Sequence, residues 1–228
     1  MIFKDEHTPS LIPKSFFMLS LISASLLAAY LMFTNVDDII SILQPHAVDG
    51  NFVRQIILIT CLLIYIIRLF FTTLVFLKRK MRWTETIIIS TLMSIALFSF
   101  AKVGGGSKLV INIYDYLGIL LFIIGSFINT RSEYTRYKWK QNEENIGKLY
   151  TGGLFKYSKH INYFGDILLF CGLALITQSY SMMIVPLAMS LIFIFFIIPR
   201  HDKYLGSKYG EDFLEYSSHT KKLIPWIY

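Results

Sequence analysis

The chain has 228 residues, of which 54% are hydrophobic and only 16% charged, and its mean hydropathy is +0.54. That balance excludes an ordinary soluble globule and a disordered chain, and predicts a multi-span membrane protein. The formal net charge of +7 fits the enrichment of Lys and Arg in cytoplasmic segments of membrane proteins, and no nucleic-acid partner is expected.

Six apolar runs predict an all-α bundle of about six transmembrane helices, at 16–33, 52–77, 84–101, 109–128, 163–180 and 182–198. A spanning helix takes about 20 residues, with tolerance to about 17. The third and fifth runs therefore need flanking residues to reach span length. Lys4, Asp5 and Glu6 precede the first run and no small-residue cleavage motif follows it, so no cleavable signal peptide is expected. The second run carries Arg68 inside it and is long enough to tilt or break. Tyr65 and Arg68, three apart, share one helical face. An intramembrane Arg usually faces a cavity or a partner, and a Tyr beside a cation is a candidate proton donor; the plain alternative is a snorkelling Arg beside an ordinary Tyr. Cys61 in this run and Cys171 in the fifth give neither a disulfide nor a zinc spacing.

Glu85, after the second run, reads as an acid partner or a surface charge. Gly104–Gly106 predict a tight turn on the outer side, and Asp115 an interfacial residue. A polar loop follows at 130–162, with Arg131, Arg136, Lys138, Lys140 and Lys148 near the membrane surface and Gly147, Gly152 and Gly153 permitting close approach of backbone to a ligand. Cations with glycines suit phosphate, although such loops are also topology and headgroup signals. On a helix starting near Asn162, Asn162 and Asp166 share a face, with Asp166 about one turn inside. Asn162 also suits an N-terminal cap. His160 reads as a ligand-binding or an interfacial histidine, and with no second His or Cys at ligand spacing no metal site is expected. The stretch from Tyr150 to Phe170 therefore reads as the edge of a site for an anionic nucleotide cofactor. After the sixth run, the tail at 199–228 predicts short helices at 202–209 and 211–217, with aromatics suited to an interfacial lid or a membrane-interface belt.

The charges orient these elements. Of the 22 Lys and Arg, all except Arg54, Arg68, Lys102 and Lys108 fall before the first run, between the second and third, in the 130–162 loop or in the tail. Both termini are therefore expected in the cytoplasm, in one membrane domain over 1–228, with Asp37, Asp38 and Asp49 in the first outer loop. Without other targeting signals, a bacterial inner membrane is expected.

The stretch GGLFKYSKHINYFGDILLFCGLALIT resembles the signature of the steroid 5-alpha reductase C-terminal domain family, roughly G-L-(W/F)-x-Y-S-R-H-P-N-Y-x-G-(E/D). The upstream INTRSEYTRYKWKQNEENIGKLYTGG, the tail RHDKYLGSKYGEDFLEYSSHTKKLIPWIY and, more loosely, IYIIRLFFTTLVFLKRK are similar to segments of the same reductases. The resemblance covers about 125–228 well. It implies an integral-membrane enzyme moving hydride from NADPH to a conjugated carbon–carbon double bond in a lipid-like substrate. It also implies cofactor contacts at Asn129, Glu133, Lys140, His160, Asn162, Asp166, His201 and Tyr204, and a proton donor at Tyr65 with Arg68 beside it. The sequence departs from the pattern at Lys159, for the usual Arg, at Ile161, for the usual Pro, and at Lys140, for an Arg in the steroid enzymes. No counterpart appears in an earlier span for the glutamate that pairs with the Tyr. There is no G-x-G-x-x-G, so the nucleotide site is not of the Rossmann kind.

Isoprenylcysteine and phospholipid methyltransferases share the R-H-P-x-Y-x-G element and bind S-adenosylmethionine. Their paired tail glutamates are reduced here to Asp202. A non-catalytic lipid-binding relative is the third reading, and the oligomeric state is left open.

Overall fold

A computed structural model describes residues 10–33 and 50–228. Lys4, Asp5, Glu6, Asp37, Asp38 and Asp49 lie outside the described residues. The described chain is all-α. Helix α1 is Leu11–Met32, and α2 is Phe52–Phe70, continued by a wide π turn over Phe71–Phe76. Helix α3 is Trp83–Gly105, α4 Ile113–Trp139 and α5 Ile161–Ile176. Then α6, Ile184–Ile192, runs through a second π turn, Phe193–Ile197, into α7, Ile198–Tyr209, and α8 is Glu211–His219.

Among the described residues, five helices are long and apolar enough to cross a membrane, counting Phe52–Phe76 and Tyr180–Tyr209 as single pieces. The fifth expected span, α5, has 16 residues. The chain is an integral membrane protein, and its outward faces carry the large apolar residues that lipid requires, among them Leu26, Ile67, Ile88, Phe127 and Phe195.

Several expected boundaries move. Helix α4 continues well past 128, because residues 129–139 contain no helix breaker and the Glu133–Arg136 ion pair supports them three apart. Residues 130–139 of the expected loop are thus helix. The expected tail helix at 202–209 is not separate. Pro199 falls in the first turn of α7, where its missing N–H is tolerated, and the π turn before it absorbs the change in register. The chain breaks only at Gly210, whose φ of +54° favours glycine. Gly104 and Gly105 end α3 and pack against Leu58, Thr177 and Met32, and the expected tight turn follows directly, closed by Ser107 N donating to the Gly104 carbonyl at 3.2 Å.

In lipid there is little hydrophobic drive between helices, so close packing and satisfied polar groups hold them together. The tightest seam joins α4 to α5. Gly118 and Gly125 on α4 face Gly172 and Gly165 on α5. A Cβ on Gly118 would lie 2.7 Å from the Gly172 carbonyl oxygen, and one on Gly172 would lie 2.5 Å from that of Gly118. Only hydrogen fits there.

The end of the bundle near Asp115 is closed by Arg54, which is fully buried. Its guanidinium forms a fork onto Asp115 (Nε to Oδ1 2.9 Å, Nη2 to Oδ2 3.1 Å) and donates to the Leu109 carbonyl at 2.8 Å. Asp115 also closes the capping box of α4 with Asn112 and accepts from Gln178. Arg54 and Asp115 form a buried salt bridge, whose fully matched geometry offsets the cost of removing both from water. Gln55 beside them donates to the carbonyls of Met32 and Gly105, 2.9 Å each, tying α1 to α3.

Candidate functional site

At the opposite end the α2 π turn, the end of α4, the start of α5 and helices α7 and α8 surround a cavity of about 460 Å³. That lies within the range of about 300–1,000 Å³ typical of ligand pockets. Every expected site residue except Tyr65 and His160 lines it. The 130–162 segment and the tail, remote in sequence, meet there.

The glycine seam sets one wall. Because Gly165 lies against the backbone of Asn129, the Asn129 amide reaches the Asn162 carbonyl at 3.0 Å. The Asn162 amide in turn donates to Glu133 Oε1 at 2.9 Å, and Glu133 pairs with Arg136. Asn162 is not the helix cap. That position is His160, and Asn162 lies inside the first turn with its side chain turned to α4.

One turn deeper, Asp166 accepts from Arg68 Nη1 at 2.9 Å. Arg68 is 6% exposed, and its Nε is buried without a hydrogen-bond partner among the described residues. The Arg68 guanidinium also lies 5.0 Å from the centre of the Tyr65 ring. Tyr65 itself is 2% exposed and stands behind the cavity wall, edge-on to Phe170, with its hydroxyl 3.5 Å from Met93 Sδ. Glu85 does not approach it, being paired with Arg79.

His160 is buried in the wall. Its Nε2 is 2.7 Å from Asp202 Oδ1, its ring stacks parallel on Tyr163 with centroids 5.4 Å apart, and its Nδ1 has no partner among the described residues. Burial pushes its imidazole below the ordinary value; Lys159 and Arg136 add to that, against the pull of Asp202. The neutral ring donating Nε2–H to Asp202 satisfies the geometry. Lys159 also binds Asp202, at 3.4 Å, and Ser217, across α7 and α8. The backbone closes the same joint: Lys159 N donates to Lys221 O at 2.8 Å and the Ser158 hydroxyl to Leu223 O at 2.8 Å. The tail is strapped over the cavity by the residues that begin α5.

Tyr163 and Arg79 are among the cavity residues that the sequence alone does not single out. Tyr163 sits between His160 and Phe193 with its hydroxyl 3.4 Å from His201 Nδ1. It shares its helical face with Asn162 and Asp166, which was the available signal. Arg79 lines the cavity from the turn after α2; its place in a run of cations made it look like topology alone.

Residues 75–220 match the family model described as "Protein of unknown function (DUF1295)". The chain belongs to this family. The match to DUF1295 runs from the α2 π turn through α8 and takes in most of the cavity wall, leaving α1 outside it. The expected resemblance to steroid 5-alpha reductases is borne out by individual relatives. The chain is 34% identical over 112 residues to 3-oxo-5-alpha-steroid 4-dehydrogenase 2 of Sus scrofa, covering 49% of this chain and 42% of that protein. It is 33% identical over 111 residues to the Rattus norvegicus form, with the same coverage. To 3-oxo-5-alpha-steroid 4-dehydrogenase 1 of Mus musculus it is 31% identical over 110 residues, 48% of this chain and 41% of that protein. The matched part thus spans less than half the length of each relative.

Proposed function

We propose that the chain is a membrane-embedded reductase that uses NADPH to saturate a conjugated carbon–carbon double bond in a steroid-like or other lipid substrate. The observation that carries this reading is the convergence of the 130–162 segment, the tail and the polar start of α5 on one cation-lined cavity that ends at Arg68 and Asp166. We further propose that this end of the bundle faces the cytosol of a bacterial cell.

The residues fit a dinucleotide phosphate. Lys78, Arg79, Lys140 and Lys208 bring positive charge to the wall, and cations outnumber carboxylates around it. The hydrogen-bonded ridge of Asn129, Asn162 and Glu133 suits ribose hydroxyls or a carboxamide, and His201 and Tyr204 offer ring faces. Arg68 Nε is a buried donor without an acceptor among the described residues, beside the Asp166 carboxylate. When bound, NADPH supplies the hydride that adds to the β carbon of the double bond. The role left to the chain is to stabilise the charge that develops on the substrate carbonyl oxygen, which a positioned hydrogen-bond donor does best in a dry site. Tyr65 is that donor in this reading. Its present neighbour, a thioether sulfur, is a weak acceptor that a carbonyl oxygen outcompetes, and Met93 is flexible enough to yield. The Arg68 guanidinium lies over the ring, where its charge offsets the negative charge that develops as the proton leaves.

S-adenosylmethionine carries a sulfonium cation and no phosphate, so this wall suits it poorly. Asp202, the carboxylate nearest to a methyltransferase's tail acids, is held by His160 and Lys159. Ligand-dependent melting of the purified protein decides between them: NADPH raises the melting temperature and S-adenosylmethionine does not. The opposite pattern transfers the assignment to a methyltransferase, and no response to either supports a non-catalytic lipid-binding protein.

A further inference from the structure

Helix α1 lies outside the family match, yet it touches the cavity wall at one remove. Arg79, Lys78 and Leu77 line the cavity from the turn joining α2 to α3. That turn is held from behind. Lys14, 8% exposed, donates its ammonium to the Leu77 carbonyl at 2.5 Å. Ser10, at the N-cap of α1, makes no side-chain bond to its own helix; its hydroxyl accepts from Met81 N at 3.0 Å. Phe16 meets Trp83, the first residue of α3, edge-on at 5.6 Å. Three successive features of α1 thus fix the two ends of the segment that carries the cations.

The choice of a lysine is informative. The Leu77 carbonyl follows the π turn of α2, and a cation suits a helix C-terminal end. But Lys14 also lies close enough to Lys78 and Arg79 to feel their charge. Of the two cations in front of it, Arg79 is paired with Glu85, and an anion bound in front of the turn would offset the repulsion further. A neutral donor would hold the carbonyl without that repulsion.

We propose that Lys14 is a positioning residue: through the Leu77 carbonyl it fixes the Lys78–Arg79 turn against the cavity and adds positive charge behind it, so raising affinity for the phosphates of the cofactor. This rests on the NADPH reading for the identity of the anion, while the clamp itself does not.

The test uses the full chain in detergent or nanodiscs and two readouts. The turn holds four tryptic sites, Lys78, Arg79, Lys80 and Arg82, so limited trypsin digestion with mass spectrometry reports directly on whether it is held. Lys14→Met is expected to speed cleavage there at least fivefold, and Lys14→Arg to restore most of the resistance. Ser10→Ala, which keeps the charge, gives a smaller change in the same direction and serves if Lys14→Met folds poorly. NADPH titration is expected to show about tenfold weaker binding for Lys14→Met, with turnover at saturating NADPH within twofold of wild type. Unchanged cleavage overturns the clamp, and faster cleavage with wild-type NADPH affinity reduces Lys14 to a structural contact and overturns its positioning role. Failure of the wild-type chain to bind NADPH removes the reductase reading instead, and the cleavage rates then decide the clamp alone.

Discussion

A Cβ on Gly125 would lie 2.4 Å from the Gly165 carbonyl oxygen, a separation that no side chain tolerates. Helices α4 and α5 touch through backbone at this level, and the Asn129–Asn162 and Asn162–Glu133 bonds lie about one turn towards the cavity. Gly125→Ala must therefore push the helices apart, destabilising the protein by about 1–3 kcal/mol and lengthening both bonds. We expect a lower melting temperature together with a weaker NADPH response. Ala at Gly147, whose surroundings are open, strains only its φ of +79° and should leave NADPH binding close to wild type.

Asp166 and Arg68 allow a separation of charge from site. Asp166→Ala leaves Arg68 buried without its carboxylate, and breaking a buried pair in this way costs about 3–5 kcal/mol; the 23% exposure of the Asp166 side chain puts the loss at the low end. Replacing both, as Arg68→Met with Asp166→Leu, removes the uncompensated charge. We expect thermal melting to recover in the double variant while reduction of an enone substrate stays undetectable.

Tyr65→Phe removes one hydroxyl from a buried ring whose aromatic packing on Phe170 is unaffected. Loss of a single preorganised donor to a developing oxyanion costs about 10²–10³ in turnover. The expected result is a kcat reduced by that factor, with NADPH binding within twofold of wild type, measured by stopped-flow hydride transfer and by titration.

The His160 imidazole is held below its ordinary value of 6.5, so between the folded and unfolded values the unfolded chain binds the extra proton. Its contribution to stability is complete above about pH 6.5 and is lost as the pH falls from there towards the depressed folded value. The ring faces Asp202, Tyr163 and His201, and the charges of Lys159 and Arg136 also act on it. His160→Gln should flatten the fall of melting temperature between pH 7 and pH 5, at the expense of a lower value at pH 7.

Asp115→Ala strips the carboxylate from a fully buried Arg54 at the end of the bundle away from the cavity. A loss of about 3–5 kcal/mol is expected. At low temperature, where the variant is folded, its NADPH affinity should match wild type, which measures how independent the two ends are.

How much of this was legible in the residues follows from how each feature is encoded. The all-α class follows from the apolar runs, and the expectation of loop and tail on one side of the membrane from the distribution of charges; that both contribute to one site is implied only by the resemblance. Asn162 and Asp166 were found through their four-residue spacing, and both line the cavity. The glycine seam was visible as two pairs spaced seven apart, 118 with 125 and 165 with 172, but a glycine inside a span reads equally as a weak helix position until its partner is known. Arg54 carries no signal of its buried role, because its partner lies 61 residues away. Tyr65 was picked for its three-residue spacing to Arg68, and the spacing is real, but whether a ring reaches a cavity or stops behind its wall depends on Met93 and Phe170 from other helices.

The π turn at Phe193–Ile197 closes with Ile198 N bonding to Phe193 O, five residues back. Each residue advances an α-helix by about 100°, so a single deletion within α6, or in α7 ahead of His201, would swing His201 and Tyr204 away from the cavity. A deletion within the bulge instead takes up its slack, leaving a regular helix with both flanks facing as before. The chain carries one spare residue at the one point in its last long helix where losing it would leave the direction of those two side chains intact.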